Sequence, residues 1–167
     1  MESEKISQKD IDLWHTLYKV DMALYKARGD FLNFSTNRNL VIHNGLNNPG
    51  YRGTALRLLL YLGVEEIIPF FDLLVNLASV GHSDIGLVRE VILSLPKDFL
   101  LANIEKSAEA VLRDAMKHED SYEEYRRLLE LYIEIDPDLT KRLAERALES
   151  DDEDIREAGS DAMECLN

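Results

Sequence analysis

The 167-residue chain has few residues that break helices or cross-link chains: four prolines, eight glycines and one cysteine. Because Cys165 has no second cysteine to pair with, an internal disulfide is excluded, and a reducing compartment fits. The low proline and glycine content excludes collagen-like and low-complexity chains and suits a helical protein. Hydrophobic residues make up 46% of the chain, so we expect a folded protein that is ordered except at its ends.

Long hydrophobic runs are also missing. The longest apolar segment, 67–80, spans 14 residues and contains Asp72 and Asn76, which makes it too short and too polar to cross a bilayer. The N-terminal residues Met-Glu-Ser-Glu-Lys are charged and contain no apolar signal core. We therefore expect a soluble, cytoplasmic protein that does not associate with membranes.

Basic residues are scarce in the second half of the chain. Residues 1–83 carry nine acidic and eight basic side chains, whereas residues 84–167 carry 23 and 11, within a net charge of −13. Nucleic-acid binding depends on basic groups that displace condensed counterions, so DNA and RNA are disfavoured as ligands. The negative field favours a protein partner with a basic patch, although such a charge also serves solubility alone.

Apolar residues recur every three or four positions along most of the chain, which is typical of amphipathic helices. In the N-terminal helix, predicted over 10–28, they are Leu13, Leu17, Val20 and Leu24. Ser7 and Asp10 resemble a capping box, and Gly29-Asp30 is predicted to end this helix. Further helices are predicted over 51–62, 65–80, 84–95, 98–117, 121–135, 138–149 and 152–166, with a short or frayed helix within 31–44. No segment alternates with period two, so the predicted class is all-α.

Four times an apolar residue stands directly before an arginine near the start of an apolar run: Tyr51-Arg52, Val88-Arg89, Tyr125-Arg126 and Ile155-Arg156. The spacings are 37, 37 and 30 residues. A near-constant period of this length is typical of solenoids, in which hairpins of helices stack because one hairpin cannot bury its own apolar face. The pattern predicts one helical-repeat domain over 1–167, with the N-terminal helix followed by units at about 30–63, 65–96, 98–135 and 138–166.

The four units share a pattern of predicted burial. Counted from the apolar residue before each arginine, the positions four, seven and eight residues later are mostly small or apolar, which predicts one buried helix face repeated in register. These positions are Ala55, Leu58 and Leu59; Ile92, Leu95 and Pro96; Leu129, Tyr132 and Ile133; and Gly159, Ala162 and Met163.

The last unit contains the acidic run 151–154, then Ile155-Arg156, then Ala158 and Ala162. In this order it resembles the HEAT-repeat family, which has acids, then a Val-Arg pair, then alanines. The resemblance covers roughly residues 31–167 and implies a right-handed stack of antiparallel helical hairpins, about four units with an N-terminal helix. It also implies a ladder that joins each repeat arginine to an Asp six residues earlier; Asp120 holds that place for Arg126, and the other three units lack it.

Two other helical folds compete with this interpretation. A tetratricopeptide array requires a strict 34-residue period and a Trp, Leu-Gly, Tyr signature, which the chain lacks. An irregular helical bundle remains the main alternative fold.

No motif points to chemistry. His43, His82 and His118 fall in corresponding turns of successive units, but stacked helices lie about 8–10 Å apart, too far for one metal to gather all three side chains. The run 151–154 fits a helix start, where the dipole favours acids. There is no phosphate-binding loop, nucleophile elbow or local Cys-His pair, so we expect no catalytic residue, no metal and no cofactor, and a protein that is not an enzyme.

The HEAT resemblance implies that the repeat arginines, Arg52, Arg89, Arg126 and Arg156, are mainly structural; a row that binds anions is the alternative. It also places the second helix of each hairpin on a concave face. A protein-binding groove is predicted there, with apolar anchors and acids that face a basic partner. The anchors are Leu56, Leu60, Tyr61 and Leu93, and the acids are Glu130, Glu134, Asp161 and Glu164. The alternative is that the leucines contact the N-terminal helix as core.

The function predicted from these features is a non-enzymatic protein-interaction module or scaffold that binds a partner on its concave face, such as a bacterial adaptor or an immunity protein that neutralises a toxin. Two alternatives belong to other classes. Some HEAT-like proteins resemble DNA glycosylases or chromophore lyases, but a glycosylase would need a basic concave face, and Cys165 is poorly placed for a lyase. A nucleic-acid mimic would need regular rows of acids, which basic residues interrupt here.

Overall fold

A computed structural model describes residues 6–115 and 121–166. Helices make up 82% of it, and the described residues form no strand, so the predicted all-α class is confirmed. The chain divides into two compact units, Met1–Asn44 and Gly45–Asn167. Over the same described ranges, no helix combines the length and the apolar character that crossing a membrane requires.

The first unit is dominated by one long helix, α1, which spans Gln8–Phe34. It begins at Gln8 rather than at residue 10, but its capping box is as predicted. The Ser7 hydroxyl accepts a hydrogen bond from the Asp10 N–H at 3.2 Å, and the Asp10 carboxylate accepts one from the Ser7 N–H at 3.3 Å. The predicted end at Gly29-Asp30 is wrong. A single glycine costs a helix only about 1 kcal/mol, and the Lys26–Asp30 ion pair, at 2.5 Å, links the turn that contains Gly29.

The apolar face of α1 is exposed. No residue of this helix is buried, and Leu13, Leu17, Val20 and Leu24 are 59%, 59%, 61% and 53% exposed. Periodicity therefore predicted the helix correctly but did not reveal whether its apolar face is covered. The following helix, α2, spans Arg38–Asn47, later than the short helix expected within 31–44.

The second unit is built from helices that correspond closely to the predicted segments. They are α3 (Arg52–Leu59), α4 (Val64–Ile67), α5 (Phe71–Ser79), α6 (Ile85–Leu93), α7 (Lys97–Ala115), α8 (Ser121–Ile135), α9 (Pro137–Leu148) and α10 (Glu153–Cys165). Helix α5 packs against α6, α7 against α8, and α9 against α10. The second helices of the units also contact one another in chain order, α3 with α6, α6 with α8, and α8 with α10.

The helix predicted over 65–80 is interrupted at Pro69. A proline ring removes a helical hydrogen bond and clashes with the preceding turn. Instead of one helix, the chain forms the short helix α4, then a 3₁₀ turn over Ile68–Phe70 that contains Pro69, and then α5. The break gives α5 a new start from which Phe71, Leu74 and Val75 enter the core.

The buried face recurs in register, with one correction. We again count from the apolar residue before each repeat arginine. The residue four positions later is buried in all four units: Ala55, Ile92, Leu129 and Gly159. The position seven later is buried in three of them. The position eight later is buried only at Leu59, whereas Pro96 and Ile133 are exposed. Val91, Leu128 and Ala158, three residues after the reference, are buried instead, because side chains three, four and seven residues on share one face of a helix.

The contact between α9 and α10 leaves no room for a side chain at Gly159. A methyl group added at Gly159 would stand 2.8 Å from the Ala147 Cβ and 2.9 Å from the Ala144 carbonyl oxygen. Backbone atoms cannot move aside as a flexible side chain can. Glycine at this position therefore sets the distance at which the last two helices meet.

We predict that Gly159→Ala lowers the free energy of unfolding by about 1–3 kcal/mol, because the added methyl group overpacks the contact. The matched control is Gly86→Ala on α6, where nothing lies within 4 Å of the added group. That substitution should stabilise the protein by up to about 1 kcal/mol. Urea denaturation measures the free energy of unfolding of both variants. Equal effects of the two substitutions would show that α9 and α10 are not in close contact.

Candidate functional site

The predicted anchor Leu56 is not on the surface. Its side chain is 0% exposed and lies with Ala55 and Leu59 on the face of α3 that enters the core. Its assignment as an exposed anchor is therefore wrong. The pattern failed because α3 is short and largely apolar, so counting positions could not separate its inner face from its outer one.

Three of the predicted site residues meet in one groove. Leu60 after α3, Leu93 on α6 and Glu134 on α8 line an open groove of about 640 Å³, which crosses three successive second helices. The remaining lining residues are Gly86, Arg89, Glu90 and Ser94. We call these seven residues the α3–α8 groove. Its leucines are partly buried and its two glutamates are exposed, so apolar surface lies directly beside negative charge.

The other predicted acids have different environments. Glu130 forms an ion pair with Arg89 at 2.6 Å, and Asp161 forms one with Arg126 at 2.9 Å. These pairs join α6 to α8 and α8 to α10. Since their charges are already compensated, Glu130 and Asp161 contribute less to a negative surface than the sequence predicted.

Glu134 and Glu164 are exposed and take part in no ion pair within the described segments. The aromatic ring of Tyr61 is 62% exposed but is not among the residues that line the groove. The negative charge available to a partner at the groove itself therefore comes from Glu90 and Glu134.

Arg89 is the groove residue that sequence reasoning placed elsewhere, as a structural repeat arginine. Its guanidinium donates to the carboxylate of Glu130 at 2.6 Å and to the carbonyl oxygen of Arg127 at 3.2 Å. Its side chain is only 18% exposed. Arg89 is therefore held in one position by α8 while it lines the groove.

A second, smaller cleft of about 420 Å³ adjoins Arg89 between α6 and α8. Its arginines are engaged within the chain: Arg126 with Asp161, and Arg127 with Glu123 and the Ser79 carbonyl oxygen. Because carboxylates compensate these guanidinium groups, the cleft does not present a free row of cations to an anionic ligand.

Of the predicted row of turn histidines, His82 lies between α5 and α6, whereas His43 lies within α2, so its placement in a turn is wrong. His82 accepts a hydrogen bond from the Asp84 N–H at Nδ1, at 3.1 Å, and its Nε2 contacts the Leu77 carbonyl oxygen at 3.0 Å. Burial and the charge of Arg52 lower the pKa of His82. His118 lies outside the described residues. Among those that are described, no group of three potential metal ligands comes together.

Two repeat arginines bind backbone carbonyls six residues earlier in the chain. Arg52 Nε donates to the Leu46 carbonyl oxygen at 2.9 Å, and Arg156 Nη1 donates to that of Ser150 at 2.8 Å. The ladder implied by family resemblance would place a carboxylate at this distance along the chain, and Asp120 falls outside the described residues. In these two units a backbone oxygen takes the role expected of the Asp side chain, and it closes the turn before the second helix.

The acidic run 151–154 acts as a helix start, as predicted. The carboxylate of Asp152 accepts from the N–H groups of Asp154 and Ile155 at 2.9 and 3.3 Å. Asp136 caps α9 in the same way. These carboxylates satisfy orphan helix donors, which accounts for their positions without any catalytic role.

A second set of ion pairs joins the first helices of the last two units. Arg142 on α9 binds Glu105 on α7 at 2.9 Å, and Arg146 binds Glu109 one turn later. Both pairs are separated by 37 residues in the chain, which matches the main repeat spacing. The hydrogen bond from Arg146 lowers the pKa of the Glu109 carboxyl and raises that of the guanidinium.

We predict that a double-mutant cycle with Glu109→Gln and Arg146→Gln gives a coupling energy of about 0.3–1 kcal/mol at pH 7, since the pair is partly exposed. Because the pKa of Glu109 is lowered in the folded state, this stabilisation is present above the ordinary glutamate pKa of about 4.3. It is lost as the pH falls through the lower folded value. Urea titrations at pH 7 and about pH 2 measure the change. A coupling that stays constant between the two would contradict the ion pair.

No family model, curated protein or solved structure matches the chain.

Proposed function

We propose that the chain is a non-enzymatic protein-interaction module whose α3–α8 groove binds a basic, partly apolar segment of a partner protein. The observation that carries the proposal is the position of Leu60 and Leu93 beside Glu90 and Glu134 in one open groove. Apolar side chains of a partner would contact the two leucines. Lysine or arginine side chains would pair with the two glutamates.

The proposed architecture is a HEAT-like α-solenoid. It is supported by the chain-order contacts of the second helices α3, α6, α8 and α10 and by the 37-residue separation of the Glu105–Arg142 and Glu109–Arg146 pairs. In such a stack each unit contacts its neighbours, and the exposed positions of the second helices form one continuous binding surface. The groove lies across three of these helices, where that surface is expected.

Charge supports the choice of partner. The net charge is −13, and almost all of the excess lies in residues 84–167, which supply α6 and α8. A field of this sign attracts basic proteins and accelerates their association, whereas it repels the phosphates of nucleic acids. Affinity would come chiefly from the apolar contacts at the centre, and the glutamates would orient the partner.

Selection of random 16-residue peptides displayed on phage tests this proposal directly. We expect the selected sequences to combine Lys or Arg with Leu or an aromatic residue, because the groove offers glutamates beside leucines. The double variant Leu60→Glu/Leu93→Glu should weaken peptide binding at least about 10-fold. Glu134→Lys should weaken it and reduce its dependence on salt.

The matched control is Glu145→Lys on the exposed side of α9, which makes the same charge change outside the groove and should leave peptide binding unaltered. Circular dichroism confirms that each variant is folded. Selection of acidic peptides, or equal binding by the wild type and the groove variant, would contradict the proposal.

A further inference from the structure

The apolar face of α1 follows a heptad repeat that the proposed groove does not use. Leu17 and Leu24 occupy the a position of the heptad, and Leu13 and Val20 occupy the d position four residues before them, so the spacing alternates between four and three residues. This is the a/d spacing of coiled coils. We call Leu13, Leu17, Val20 and Leu24 the α1 seam. All four are more than half exposed.

The seam is wider than its four residues. Trp14, at the e position beside it, is 66% exposed, and Tyr18 and Tyr25 on the adjacent stripe are 59% and 72% exposed. A monomeric protein rarely leaves an apolar patch of more than a few hundred Å² uncovered. A helix face of this kind therefore marks a contact surface.

We infer that the α1 seam pairs with the α1 seam of a second copy of this chain, antiparallel, to form a dimer. In this arrangement each a position faces a d position of the other helix. Leu17 then lies opposite Val20 of the second copy, and Leu24 lies opposite Leu13. The symmetry of the pair repeats both contacts, so four consecutive layers contain only leucine and valine.

Charge complementarity supports this register. The g positions that flank the seam include Lys9 and Asp30. In the antiparallel register Lys9 of one copy lies opposite Asp30 of the other, whose carboxylate also pairs with Lys26 of its own helix at 2.5 Å, and the symmetry of the dimer forms this contact twice. At the e positions Trp14 of one copy lies opposite Asp21 of the other, so this register offers the indole N–H an acceptor, which a buried tryptophan requires.

Two other arrangements of two copies bring like charges together. A shift by one heptad that pairs Leu24 with Val20 would place Asp21 opposite Asp21. An in-register parallel pair would place Asp10 of one copy against Asp10 of the other and would form no pair of opposite charges across the seam. Both alternatives therefore oppose carboxylates where the antiparallel register pairs Lys9 with Asp30.

A lipid surface fits α1 less well than a second copy does. Helix α1 contains four basic and four acidic residues, Lys9, Lys19, Lys26 and Arg28 against Asp10, Asp12, Asp21 and Asp30. Helices that lie on membranes are usually rich in Lys and Arg on their polar face. The chain carries a net charge of −13 and is repelled by the anionic lipids that strengthen such binding.

The size of the interface sets the expected affinity. The exposed part of α1 is roughly 30 Å long, and half the circumference of a helix about 10–12 Å across is roughly 17 Å. Each copy would then contribute roughly 500 Å², or about 1,000 Å² in total, which is near the lower limit for a specific interface. We expect a reversible dimer with a dissociation constant of about 1–50 µM.

Sedimentation velocity of the 167-residue chain from about 1 to 200 µM tests the inference, since this range spans the expected dissociation constant. The wild type should change from monomer to dimer over that range. Leu17→Glu introduces an unpaired carboxylate into two layers of the seam and should raise the dissociation constant at least about 100-fold. The matched control, Met22→Glu on the same helix but away from the seam, should leave it unchanged.

Orientation is tested in a Cys165→Ser background, because that cysteine is exposed. Thr16 and Ala23 are both g positions and lie opposite each other only in the antiparallel register. A mixture of the Thr16→Cys and Ala23→Cys variants should therefore form a disulfide between the two, far faster than either variant forms one with itself.

A wild-type chain that stays monomeric at every concentration would overturn the inference, and so would a dimer that persists in Leu17→Glu. Binding of the monomer to phosphatidylcholine–phosphatidylglycerol vesicles, lost in Leu17→Glu, would overturn it in favour of a lipid surface. None of these outcomes depends on the α3–α8 groove, so a failure of this inference and a failure of the proposed function can be told apart.

Discussion

The structure of the Gly45–Asn167 unit depends on one constraint: the second helices α6 and α8 must bury apolar side chains towards the helices on both sides of them. Helix α6 contacts α3 and α8, and α8 contacts α6 and α10. Val88, Val91 and Ile92 on α6 are completely buried. Side chains three and four residues apart project from one face of a helix, so the period of the apolar residues fixes which surface of each helix is inside.

The exposed side chains of the second helices differ between units, and the groove arises from those differences. Leu60 in the first unit and Glu134 in the third occupy equivalent positions, nine residues after Tyr51 and Tyr125 respectively. Both line the groove. Between them, α6 contributes Leu93 together with Glu90. The ion pairs Arg89–Glu130 and Arg126–Asp161 join α6 to α8 and α8 to α10. The scaffold therefore comes from what the units share, and the proposed specificity comes from what they do not.

Much of the fold could be predicted from the sequence, because helix periodicity and capping are local. The capping box at Ser7 and the start of α10 were found from short motifs. Burial is not local, which is why Leu56 was misplaced and the exposure of α1 was not foreseen. Either face of a mostly apolar helix satisfies the same pattern, so only the contacts decide. The engagement of Glu130 by Arg89, 41 residues away, was likewise beyond any local motif.

Native-state hydrogen exchange of the monomeric 167-residue chain tests most directly whether the repeated face forms one shared core. Because α6 and α8 both pack against α5, and α8 packs against α10, the slowest amides of α6, α8 and α10 should report one common opening free energy, of about 5–15 kcal/mol. The amides of α1, whose apolar face is uncovered, should exchange at a much lower cost. Unrelated opening energies for α6, α8 and α10, or protection of α1 equal to theirs, would contradict the account.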